Sequence, residues 1–140
     1  MDPRLERLFA DYGKSFDALE MRRIAGLYAE NFVAAGPGGV ISQNREAFLA
    51  NADKAAEFYR SVGQKSAEMK GTRECWFGDK YVMVTVHWAV RFETLPDPVE
   101  FEVSYLVQLT DAHPRIILFI SHEDEAEAMR RLGLLKQGSP

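Results

Sequence analysis

Apolar residues recur every three or four positions at the start of the chain, at Leu5, Leu8, Phe9, Tyr12 and Phe16. That is the stripe of an amphipathic helix. Pro3 suits its first turn, where a missing N–H costs no hydrogen bond. Asp17 and Glu20 have capping-box spacing, which predicts a second helix from Ala18 that buries Met21, Ile24, Leu27 and Tyr28. Phe32–Ala35 and Val40–Ser42 then flank Gly36-Pro37-Gly38-Gly39, the pattern of a small hairpin. Asn44 is placed to cap a third helix reaching about Val62. Its stripe is Phe48, Ala52, Ala55, Ala56, Tyr59 and Val62, and Gly63 ends it.

Beyond Gly63 the period falls to two. Strands are predicted near 66–77, 80–94, 99–110 and 115–121, joined by turns at Gly78-Asp79, Pro96-Asp97-Pro98 and 111–114, which makes neighbours antiparallel. In the 80–94 strand Val82, Val84, Val86, Trp88, Val90 and Phe92 form a wholly apolar face. Phe101, Val103, Tyr105, Val107 and Leu109 match it on the next strand. One face of the sheet must therefore be covered by helices. The opposite face is mixed, and Arg91 is expected to pair across strands with Glu102 or Ser104. A last helix is expected after Ser121 as N-cap, with Glu123–Glu125 at its positive end and Arg130 and Arg131 at its negative end. The domain is read as residues 1–135, with 136–140 a flexible tail.

Composition narrows the function classes. The chain of 140 residues is 46% hydrophobic and 27% charged, the size and make-up of one globular domain. Its 17 basic against 21 acidic residues leave a formal charge of −4, which repels a phosphate backbone and argues against nucleic acid as a partner. The lone cysteine, Cys75, lies beside Trp76 and Phe77 and reads as a small buried hydrophobe. Charges break up the first turns and the longest apolar run is Ile116–Ile120, so neither a secretory leader nor a membrane span is expected, and a cytoplasmic location is the default.

The order helix, helix, hairpin, long helix, antiparallel meander resembles the nuclear transport factor 2-like superfamily over residues 4–125. Further echoes lie in Leu27-Tyr28-Ala29-Glu30-Asn31-Phe32-Val33, in Pro37-Gly38-Gly39 followed by Arg45-Glu46-Ala47, and in Ile120-Ser121-His122. The resemblance implies an α+β cone: a strongly bent antiparallel sheet, three helices on its concave face and a short C-terminal helix. It also implies a pocket between sheet and helices and a homodimer through the sheet. Among relatives, ketosteroid isomerase offers the useful comparison. Its first oxyanion donor falls on Tyr12 and its second near Tyr105. Its general-base position falls on Gly36, before Pro37, so the base is missing. Steroid isomerisation needs a positioned base and is not expected.

The candidate site follows from these readings. Tyr12 and Tyr105 would offer hydroxyls inside an apolar cavity, as an oxyanion hole does, with Phe16, Val86, Trp88, Val90 and Val103 as walls. The expected function is a pocket for a small hydrophobic or carbonyl-bearing molecule. The alternatives are a lyase or isomerase using the tyrosines as electrophiles, with His122 or a water in place of the base, and a non-catalytic dimeric module. His87 falls on the mixed face, and His113 in a turn. His122-Glu123-Asp124 reads as a helix start rather than a metal site, and no metal or cofactor is expected.

Overall fold

The computed structural model describes residues 1–110 and 113–135. The expected tail at 136–140 and residues 111–112 of the last turn lie outside the described residues. Helix α1 (Pro3–Asp17) starts where Asp2 accepts a hydrogen bond from the Arg4 N–H at 2.8 Å, and it buries Leu5, Leu8, Phe9 and Tyr12. Helix α2 is only Met21–Ala25, and no capping box opens it. Asp17 instead accepts from the Ala67 N–H at 2.9 Å, fastening the end of α1 to a strand fifty residues on. The chain reverses at Leu19, which is buried despite a φ of +56°, so burial of its side chain offsets a backbone geometry that Leu rarely adopts. Tyr28 accordingly opens strand β1 (Tyr28–Gly36) rather than closing a helix.

Strand β2 (Gly39–Asn44) completes the hairpin with β1, and Asn44 caps helix α3 (Arg45–Ser61) by accepting from the Ala47 N–H at 2.7 Å. Gly63, at φ +84°, turns the chain from α3 into strand β3 (Gln64–Phe77). Strands β4 (Tyr81–Phe92), β5 (Val99–Gln108) and β6 (Arg115–Ser121) follow. The sheet order is β2-β1-β6-β5-β4-β3, antiparallel except where β1 runs parallel to β6. Register breaks at 64–66 and 69–71 of β3 and at 106–107 of β5 mark bulges, which bend and twist a sheet.

Register sorts the faces. Val82, Val84, Val86, Trp88 and Val90 stand opposite Val107, Tyr105, Val103, Phe101 and Val99, giving the buried face toward the helices. On the outer face Met83, Thr85 and His87 stand opposite Leu106, Ser104 and Glu102. Arg91 pairs with neither Glu102 nor Ser104. The six-residue connection after Phe92 starts β5 at Val99, opposite Val90, so Arg91 lies past its end and faces Ser66. Cys75 is exposed, not buried, because residues 70–77 form the far half of an edge strand that no helix covers. Helix α4 (Glu125–Arg131) is capped by Asp124, which accepts from the Glu127 N–H at 3.0 Å. Ser121 does not cap it, since it is still in β6 opposite Val103.

Candidate binding cavity

Helix α1 crosses the inner face so that Phe9, Tyr12 and Phe16 meet β4 and β5. Phe9 packs edge-on against Tyr105 at 5.5 Å, and Phe16 stands nearly perpendicular to Trp88 at 5.3 Å. These rings do not close the space between sheet and helices. A cavity of about 220 Å³ remains, bounded by α1, α2, the N-terminal part of β1, α3, the start of β3, β4, β5, β6 and α4. Drug-sized sites run at about 300–1,000 Å³, so this one suits a molecule of about one ring.

Six of the seven expected wall residues line it: Tyr12, Phe16, Trp88, Val90, Val103 and Tyr105. Val86 shares their face but is fully buried in the core and does not reach the wall. His122 points elsewhere, its Nε2 2.8 Å from the Ser104 Oγ on the outer face, and that oxygen is 2.7 Å from the Thr85 Oγ1. His87 is also on that face, 2.8 Å from the Glu100 carboxylate. No group of three or more metal-ligating side chains occurs among the described residues.

The tyrosines form a chain. The Trp88 Nε1–H donates to the Tyr105 hydroxyl at 3.1 Å, the Tyr105 and Tyr12 rings meet edge-on at 5.2 Å, and the Tyr12 hydroxyl meets that of Tyr28 at 2.9 Å. An indole N–H only donates, whereas a phenol donates once and accepts. The Tyr12–Tyr28 bond uses one of the three hydroxyl protons and Tyr105 only accepts from Trp88, so these contacts leave O–H donors unspent, that of Tyr105 among them. Burial holds all three phenols well above the ordinary tyrosine pKa, so they stay neutral donors. Another unspent donor is near: Gln64 lines the cavity, and its amide nitrogen is buried without a partner among the described residues.

The sequence pattern does not single out four residues of this wall that matter here. It gives Gln64 no role, places Tyr28 on the second helix's buried face and, for the last two, puts Tyr59 on the third helix's stripe and Glu125 at the positive end of a helix dipole. The last two both line the cavity, Tyr59 from α3 and Glu125 from α4. Glu125 is exposed as a residue, at the first turn of α4, yet its carboxyl is crowded by protein where it meets Tyr59. Burial raises this carboxyl above an ordinary glutamate; the bond from Tyr59 works against that, and Asp124 adds to the rise. The folded protein therefore holds the Glu125 proton to higher pH than the unfolded chain, and stability drops as pH climbs through that window. Glu125→Gln removes the loss. Its melting temperature should rise relative to wild type on going from acid to neutral pH, and a pH series of thermal unfolding checks it. A constant difference across the series would place the carboxyl in solvent.

Sheet order, helix placement and cavity define a cone-shaped α+β fold of the nuclear transport factor 2 type, and the sequence comparisons agree. The profile of a family described as NTF2-like protein (DUF6841) matches residues 3–124, and the chain belongs to that family. Solved structures share the fold. An NTF2-like protein of unknown function from Shewanella oneidensis is 16% identical, with 86% of this chain and 97% of that one covered and a TM-score of 0.70. An NTF2-like protein with a cystatin-like fold from Novosphingobium aromaticivorans is 17% identical, covering 95% and 87%, at 0.68. A protein of unknown function from Mycobacterium tuberculosis is 19% identical, covering 86% and 74%, at 0.66. No curated protein matches the sequence. No helix among the described residues is long and apolar enough to cross a membrane.

Proposed function

We propose that the cavity binds a small, largely apolar molecule of about one ring that carries a carbonyl or similar acceptor. The observation that supports this is the pair of unspent donors, a spare hydroxyl of the tyrosine chain and the Gln64 amide, on a mostly aromatic and aliphatic wall. A buried donor without a partner costs about 1–3 kcal/mol, which an acceptor on the ligand would recover. A panel of one-ring ketones, aldehydes and alcohols followed by thermal shift tests the reading. A ligand at about a hundred times its Kd should stabilise the wild type by roughly 2.7 kcal/mol, and Gln64→Leu should weaken carbonyl compounds more than matched hydrocarbons. No shift across the panel would overturn the proposal.

The outer sheet face supports a second element of this reading, a homodimer. Met83, Leu106, Leu118 and Ile120 are half-buried there, beside the Thr85–Ser104–His122 bonds. Leu106→Asp should shift the sedimentation coefficient from dimer to monomer while the far-UV spectrum is kept.

A further inference from the structure

We propose that the molecule held in the cavity also carries an organic cation, a protonated amine or an ammonium group, seated between the aromatic wall and Glu125. The inference rests on the binding role proposed above and adds the charge of the ligand to it.

The first observation is the sign of the wall. Glu123 and Glu125 line the cavity, and no Lys, Arg or His does so among the described residues. Glu102 borders it from β5, but its side chain is on the outer face, with its carboxylate 2.7 Å from the Arg73 guanidinium. Glu125 makes no ion pair among the described residues. The groups that act on its carboxyl are Tyr59 and Asp124, a hydroxyl and another acid, and no basic side chain joins them. A carboxylate beside a largely apolar wall with no basic side chain next to it attracts a cation that enters there. The missing partner is a cation brought by the ligand.

The second observation is independent of the acids. The wall beside Glu125 is built of rings, whose faces are electron-rich and attract cations within about 6 Å of their centres. Phe16 stands at 79° to Tyr59 and at 88° to Trp88, with centroids 5.8 and 5.3 Å away, so it meets both rings edge to face. Tyr12 closes in on Trp88 at 5.8 Å. An ammonium entering this space leaves water for ring faces and one carboxylate, whereas a carboxylate ligand would face that carboxylate with no basic side chain to offset it. The short helix α4 does little to reverse this, since Asp124 already occupies its Glu127 N–H. The formal charge of −4 works in the same direction.

Three probes of one shape and different charge decide the matter: benzylammonium, benzyl alcohol and benzoate, titrated calorimetrically into the intact protein and into Glu125→Gln. The wild type should prefer benzylammonium to benzyl alcohol by about tenfold, one decade of affinity for one charge pair, and should not take benzoate. In Glu125→Gln that preference should collapse toward unity while benzyl alcohol binds as before. As a check that needs no variant, added salt should weaken benzylammonium and leave benzyl alcohol unchanged. Benzyl alcohol binding as tightly as benzylammonium to the wild type would overturn the cation and leave the pocket standing. Failure of all three probes together with the neutral carbonyl panel would overturn both.

Discussion

Trp88→Ala should destabilise the protein by about 3–5 kcal/mol, the range for truncating a large buried aromatic, and lower its melting temperature by roughly 10–20 °C. Trp88 is 1% exposed and stands where α1, β4 and β5 meet. Its ring packs against Phe16 and Tyr12, and its N–H ends in the Tyr105 hydroxyl. The alanine variant loses all of these contacts and enlarges a cavity that is already there. Collapse of the walls cannot make up the lost contacts, because strand β4 is held on both sides by β3 and β5. Urea unfolding at fixed pH measures the loss. A cost under about 1 kcal/mol would mean that the indole side is already loosely packed.

Tyr105→Phe should be the sharpest of the conservative changes, at about 1–3 kcal/mol, although it removes a single oxygen. The buried Trp88 N–H loses its acceptor, and Tyr12 loses a polar neighbour on the cavity wall. The cost comes from leaving a partner unsatisfied and not from lost packing. The double variant Tyr105→Phe/Trp88→Phe should therefore lose less than the sum of its parts, since it removes donor and acceptor together. Strict additivity in denaturant unfolding would show that the bond between them contributes nothing.

The cone could be read from the sequence because its elements announce themselves locally. The unbroken alternation from Val82 to Phe92 and the apolar stripe from Leu5 to Phe16 each predict one element and one buried face, and both faces are the ones observed. The departures occur where a distant partner overrides a local signal. Asp17 has the right spacing to cap α2, but its carboxylate is taken by Ala67 across fifty residues. Cys75 lies in a strongly apolar stretch, but exposure is set by what covers the strand, and nothing covers the end of β3. The cavity behaves likewise. Tyr12, Tyr105 and Trp88 could be found because they alternate with core residues on known faces. Glu125 carries no such signal, because an acid in the first turn of a helix is the ordinary case, and only the packing of α4 against Tyr59 brings it to the wall.

The central claim, that the cavity takes a small ligand, is tested most directly by the emission of Trp88 alone. Trp76, the other tryptophan, is partly exposed at the edge of the sheet, and Trp76→Phe isolates the buried indole. Titrating that variant with one-ring ketones should give a saturable change in Trp88 emission that Gln64→Leu weakens. Emission that is unchanged, or that falls only in linear proportion to ketone concentration without saturating, would contradict the claim.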